Sequence, residues 1–395
     1  MRGGDAAALA AALSMQREQT LRLFAALHGA LGDALEVPYL EVINPPRWEL
    51  GHVGWFEEFW LARNSERWHG AAARLEAPRA APLLPQADAL YDSSHVVHTR
   101  RWHLDLPDAR RTLAYVARVR ERTLALLAGS REGDGWLYFF RLALAHEAMH
   151  HEAGAMIAQR LALPVADALP AAGPATAGAP GELPIDGCEF EVGVDDGGFA
   201  FDNELGAHAV AVPDFRIDRT AVSWGAYLPF VEAGGYDDAR LWTAEGWAWR
   251  RRTLPAGIPA PLDRSADGAW QRTAFGCSRP LNLEEPALHL SAHEAQAWCR
   301  WSARRLPTEY EWQLATRHPS FAWGQVWEWT ASPFAPFPGF EPHPYRDYSQ
   351  PWFDGRPVLK GGSFATAPFM KHPRYRNFFV AGRQDVFAGF RSCAA

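Results

Sequence analysis

Cysteine is scarce in this chain of 395 residues: four are present, Cys188, Cys277, Cys299 and Cys393, and no two stand in CxxC spacing. Dithiol redox sites and cysteine-ligated zinc need such spacing, so both are set aside; the four are expected to be reduced, buried thiols of a cytoplasmic protein. No apolar run reaches the length of a membrane span, and the start MRGGDAAALAAAL lacks a charged stretch ahead of a signal core. Basic charge is not in surplus either. Thirty-nine Lys and Arg against 46 Asp and Glu give a net charge of −7, with no basic tract for a phosphate backbone. Neither nucleic acid nor membrane is an expected partner. Internal repeats are also missing. What is abundant is tryptophan, 18 residues in a chain that is 48% hydrophobic, which describes an ordinary globular protein with room for two cores.

The chemistry is concentrated in histidines. In WLYFFRLALAHEAMHHEAGAMIAQRL (136–161), Trp136, Phe139, Ala143, His146, His150, Ala153 and Ile157 step by three and four along one face. His146 and His150 therefore project in parallel one turn apart, the spacing with which a helix offers two imidazoles to one metal. In PPRWELGHVGWFEEFWLARN, Trp48, His52, Trp55 and Phe59 share a face of a helix opened by Asn44-Pro45-Pro46. A lone inward histidine is more often a hydrogen-bonded core residue; three on inward stripes, with few acids expected on the same faces, suggest one metal ion with open positions. His95, His98 and His103 lack helical register and are expected at a surface or pocket rim.

Along the chain, periodicity predicts helices over 7–32, from Pro46, after Pro107 (Val116, Val119, Thr123 and Leu126 inward) and over 136–161. Four such helices fit a bundle with a metal in its core. Pro164 to Pro184, almost wholly Ala, Gly and Pro, is a linker. Beyond it CEFEVGV and HAVAVPDFRID alternate like strands, and SWGAYLPFVEAGG, SAHEAQAWCRWSARRL and PTEYEWQLA read as short helices, the last with a Thr308/Glu311 capping box. The expected fold class is α+β: a helical bundle over 1–163, a linker over 164–184 and a second domain over 185–395.

The phrases RLPTEYEWQLA (305–315), GQVWEWT (324–330), KGGSF (360–364) and AGFRSC (388–393) resemble the formylglycine-generating-enzyme fold, a variant of the C-type lectin fold. The cysteine pair of those enzymes has no counterpart here. The first half resembles the DinB-like bundle that precedes such a domain in the non-haem iron sulfoxide synthases of ergothioneine biosynthesis. That resemblance implies Fe(II) held by His52, His146 and His150, with dioxygen, hercynine and a sulfur or selenium donor as small-molecule substrates. It further implies a catalytic tyrosine in PHPYRDYSQ, either Tyr345 or Tyr348, and substrate contacts from Arg101, Met149, Phe378 and Phe379. Where ergothioneine-forming relatives carry an arginine and an acid for γ-glutamylcysteine, Leu106 and Phe379 stand here. With INPPRWELGHVGWF and RWHLDLP, these departures resemble the selenoneine synthases and imply a selenosugar as donor.

Two other classes compete. His146-Glu147-Ala148-Met149-His150 also spells HExxH, the helix of zinc peptidases with Glu147 as base, although the extended form fails at Ala153 and Met156. A lectin-like binding module would suit the second half but leaves three inward histidines without a use.

Overall fold

Helix α1 (Ala6–Leu31) begins where the Asp5 carboxylate accepts the Ala8 N–H at 2.8 Å, satisfying one of the orphan donors of a first turn. Helix α2 (Pro46–Trp60) has proline in its first turn, where no N–H partner exists to be lost. After the short helix α3 (Ala87–Tyr91), α4 (Ala109–Ala128) is capped by Asp108 through the Arg111 N–H at 2.7 Å, and α5 (Asp134–Arg160) follows. The computed structural model describes residues 2–171, 173–175, 179–195 and 197–395. Helix α2 packs on α4 and α5, and α1 on α5. Gly51 and Gly54 make part of this closeness. A Cβ at Gly51 would sit 2.2 Å from the Tyr91 ring, and one at Gly54 would sit 2.7 Å from Val116 Cγ1.

The helix expectations hold within a residue or two, with two refinements. Leu127, not Leu126, is the buried leucine at the end of α4. The middle of α5 is covered on nearly every side, Leu137 to Ala148 being buried throughout, so it runs as a central rod and not as an amphipathic stripe. Residues 65–105 hold α3 and two 3₁₀ turns, Arg67–Ala72 and His98–Trp102. The chain divides into two compact units; the helical one also includes residues 197–202 and 341–348.

In the second unit, β1 (Glu182–Ile185), β2 (Cys188–Val192), β3 (His208–Val212) and β4 (Phe215–Asp218) lead into α6 (Trp224–Glu232) and α7 (Ala244–Thr253). HAVAVPDFRID is two strands, not one. The break falls at Pro213-Asp214, since proline cannot donate to a ladder. Strands β5 (Leu262–Arg264), β6 (Trp270–Ala274) and β7 (Cys277–Pro280) form an antiparallel meander. Then come α8 (Ala292–Trp301), β8 (Arg304–Arg305), α9 (Glu309–Ala315), β9 (Trp327–Pro333), β10 (Pro357–Lys360), β11 (Asn377–Phe378), β12 (Ala388–Gly389) and β13 (Cys393–Ala394). Two four-stranded sheets have the orders β1-β4-β13-β8 and β11-β10-β9-β12, with β12 and β9 the parallel pair. Of the expected linker, residues 172 and 176–178 lie outside the described residues, and Glu182–Pro184 already belongs to β1.

Three of the four quoted phrases of this half are tied together by buried polar contacts. Glu328 of β9 accepts from Trp312 Nε1 at 2.7 Å and pairs through both oxygens with Arg391, while Arg376 grips Glu309 at 2.8 and 3.0 Å. The expected capping box at Thr308/Glu311 forms, and Ser291/Glu294 makes a second at α8. One expectation about the cysteines fails. All four are free, but Cys188 and Cys277 are exposed, because each opens a strand of a hairpin on its outward side. Among the described residues no helix is long and apolar enough to cross a membrane.

Candidate metal centre

His52 on α2 and His146 and His150 on α5 come together: each offers a ring nitrogen, and the three lie within 4.8 Å of one another. Their ring centroids are 4.4 to 5.0 Å apart. The register of the two helices does this, since the i, i+4 pair on α5 faces the inward turn of α2. Tyr91, let in by Gly51, presents its carbonyl to His52 Nδ1 at 2.7 Å. A carbonyl only accepts, so Nδ1 carries the proton and Nε2 is left as the ligand atom. His146 lies flat on Phe56, and its Nε2 is buried without a hydrogen-bond partner among the described residues. An orphaned buried nitrogen beside two others is what a metal-binding site with its ligands in place would leave.

Electrostatics agree with a ligand role. Burial, and then the neighbouring His150, hold His52 down at about 3; burial likewise lowers His146 well below an ordinary histidine. Both are therefore neutral near pH 7, the form that binds metal. Glu49, one turn before His52, hydrogen-bonds His150 Nδ1 and accepts from Asn44 Nδ2 at 2.5 Å. Burial would raise this carboxyl, but His150 and Asn44 prevail and hold it at about 2. The expectation of few acids on these faces is thus corrected at Glu49. Two of the three clustered histidines end a Glu-x-x-His spacing, Glu49–His52 and Glu147–His150. The spacing signals both acids, but only the packing shows which one reaches a histidine.

Glu147 does not face the cluster. Together with Glu57 it is buried between Arg17 and Arg120, with Arg17 at 2.7 Å from each acid and Arg120 bonded to both. Both carboxyls are held below their ordinary values, against burial, by the two guanidiniums. A glutamate so engaged has no oxygen to turn toward a metal-bound substrate, which removes the HExxH reading. His151, about 100° round the helix from His150, lies outside the cluster.

Tyr345 belongs to the helical unit, with its ring 4.9 Å from Phe56 and 6.2 Å from His146. Burial, then Asp347 and Asp92, push its hydroxyl above the ordinary phenol range. Tyr348 is farther out, stacked on Phe201 at 4.2 Å. The segment is pinned by Tyr138, hydrogen-bonded to His343 Nδ1 at 2.8 Å, and by Ser94, hydrogen-bonded to Asp347. Arg101 lies 4.0 Å over the Trp48 ring and donates to Asn44 Oδ1 at 2.7 Å; Met149 is half-buried on α5 beside His150. Leu106 is buried. Phe378 and Phe379 lie in the second unit, Phe378 stacked on Phe334 at 4.0 Å and Phe379 under the Arg383 guanidinium at 4.8 Å. His95 and His103 are exposed; His98 is half-buried with its Nε2 2.6 Å from the Ile43 carbonyl, and His95 Nδ1 is 2.8 Å from Asp92 Oδ2.

Residues 168–325 and 321–395 match the sulfatase-modifying factor enzyme 1-like domain. Over 97% of both chains, the sequence is 34% identical to the hercynine oxygenase of Mycolicibacterium smegmatis and, with the same coverage, 34% identical to that of Mycobacterium tuberculosis. The formylglycine-generating enzyme of Streptomyces coelicolor is 32% identical over 36% of this chain and 50% of its own. The full-length agreement spans the histidine helices as well as the second unit, and on that basis the chain belongs to the hercynine oxygenase family, its C-terminal half being a sulfatase-modifying factor enzyme 1-like domain.

Proposed function

We propose that this protein is an oxygen-dependent non-haem Fe(II) enzyme that joins a chalcogen donor to the imidazole ring of hercynine, and that the donor is a selenosugar. The observation that carries the metal and oxygen part is the cluster of His52, His146 and His150 with Tyr345 against it; the full-length similarity to hercynine oxygenases supports the substrate. These three histidines would hold the iron, which when bound supplies dioxygen activation and open positions for a soft sulfur or selenium anion.

The chain's own part is positioning and proton supply. The Tyr91 carbonyl and the Glu49 carboxylate fix the two ring tautomers, and Phe56 fixes the plane of the third ring. Tyr345 keeps its proton at neutral pH because burial and two nearby acids raise its hydroxyl, so it is the proton donor to the reacting centre, with Tyr348 as the runner-up. Phe378 and Phe379 are proposed as aromatic faces for the trimethylammonium group, and Met149 and Arg101 as further substrate contacts.

The donor rests on Leu106 and Phe379, which stand where ergothioneine-forming relatives have charges. A donor with two carboxylates and an ammonium would leave groups unpaired, at a cost of about 2–7 kcal/mol each for even a neutral polar group. A sugar brings only hydroxyls. The test is an aerobic assay of Fe(II)-loaded protein with hercynine, selenoglucose and γ-glutamylcysteine in competition. Preference for selenoglucose is expected, and Leu106→Arg with Phe379→Asp should shift use toward γ-glutamylcysteine. Preference of the unmodified protein for γ-glutamylcysteine would replace this reading with a sulfoxide synthase.

A further inference from the structure

The three candidate ligands are backed unequally. Behind His52 stands a neutral carbonyl, that of Tyr91. His146 lies on an aromatic face, that of Phe56. Only His150 is backed by an anion, Glu49, and that anion is the inner end of a chain of hydrogen bonds. Glu49 Oε1 accepts from Asn44 Nδ2 at 2.5 Å, Asn44 Oδ1 accepts from Arg101 at 2.7 Å, and the Arg101 guanidinium covers Trp48 at 4.0 Å. Asn44 can serve both neighbours in one orientation alone, because a flip would set its amide N–H groups against a guanidinium and its oxygen against a carboxylate.

We infer that Glu49, Asn44 and Arg101 form a positioning relay that sets the electron richness of the metal through His150 and links it to the charge at Arg101. This rests on the three-histidine reading above. A carboxylate only accepts, so His150 Nδ1 keeps its proton but shares it with Glu49, and the ring gains imidazolate character and donor strength. Asn44 and Arg101 draw on the same carboxylate from the other side and limit how much of its charge reaches the ring. The two ends of the relay therefore act in opposite directions. Removing the charge of Glu49 makes the centre electron-poor; removing that of Arg101 leaves Glu49 less compensated and makes it electron-rich.

The experiment uses the full chain with Fe(II) alone, reading Fe(II) affinity by titration and the Fe(III)/Fe(II) midpoint potential by spectroelectrochemistry. Glu49→Gln is expected to weaken Fe(II) binding about 10–100-fold and to raise the potential. Arg101→Gln and Asn44→Leu are expected to lower the potential. A structural role would not give opposite signs. Should Glu49→Gln misfold, Asn44→Leu, which alters a half-buried residue ahead of α2, carries the test by itself. An unchanged potential in the folded variants, or shifts of one sign for Glu49→Gln and Arg101→Gln, would overturn the relay while His150→Ala still abolished iron binding. Wild-type iron affinity in His150→Ala would instead overturn the metal reading, and the relay with it.

Discussion

Phe56 and His146 lie face to face, 3.5 Å between ring centroids and 3° between ring planes. A partial turn of the imidazole about its Cβ–Cγ bond would break that contact, so the phenyl ring holds the plane in which His146 meets the other two histidines. Phe56→Ala should destabilise the fold by about 3–5 kcal/mol and lower the iron content together. Phe56→Leu keeps most of the apolar volume but not the flat face. Thermal melting should recover with leucine while iron content does not. Full iron content in Phe56→Leu would show that the stacking is packing alone.

Each of His52→Ala, His146→Ala and His150→Ala should remain folded and lose stoichiometric iron, measured by elemental analysis. His151→Ala should keep it. Although His151 is buried with both ring nitrogens unpartnered among the described residues, it points elsewhere on α5. Any one of the three variants that retains full iron removes that residue from the centre.

Tyr345→Phe deletes one hydroxyl and leaves the ring against Phe56, so substrate binding should persist while turnover falls by about 10²–10⁴. Tyr348→Phe should cost little, since its ring stacks on Phe201 and lies 6.0 Å from that of Tyr345. The reverse pattern would transfer the role to Tyr348.

Glu147→Gln should act on stability, not on chemistry. It leaves Arg17 and Arg120 buried with one carboxylate between them in place of two, and breaking a buried pair in this way costs about 3–5 kcal/mol. A lower denaturation midpoint with iron stoichiometry intact is the expected result. Peptidase activity in the parent that vanished in Glu147→Gln would revive the zinc-hydrolase reading.

Acid should weaken the metal-free protein over a defined window. Burial lowers His343 and His289 to about 4 each, whereas in the unfolded chain a histidine titrates near ~6.5. The unfolded state thus binds more protons between these values, and stability rises with pH there. It is fully present above the unfolded value and is lost as pH falls toward 4. The melting temperature should hold level above pH 7 and drop from pH 6.5 to 4. A level curve throughout would mean that these rings take up protons equally in the folded and unfolded states.

How far the sequence reached can be judged residue by residue. The shared face of His52, His146 and His150 was legible because helical period is local: three residues on two inward stripes need only the 3.6-residue turn to be brought together. Glu49 carried the same signal, one turn from His52, yet its partner His150 lies 101 positions away, and no local pattern announces which acid turns inward. The same holds for Arg17, whose partner Glu147 is 130 positions on. Tyr345 was reached through family resemblance alone, since a tyrosine in a proline-rich loop has no periodicity to place it. The exposure of Cys188 and Cys277 was missed because hairpin ends do not show in composition.

The helical unit takes in residues 197–202 and 341–348, and with them Phe201, His343, Tyr345 and Tyr348. The unit therefore cannot be inherited as one stretch of gene. A single crossover near residue 170 between two diverged relatives would give the histidines of one parent and the tyrosine of the other. Tyr138 and His343, and Ser94 and Asp347, would then have to match across the join. Recombination that keeps the helical unit whole needs at least four further breakpoints to carry those two short pieces along.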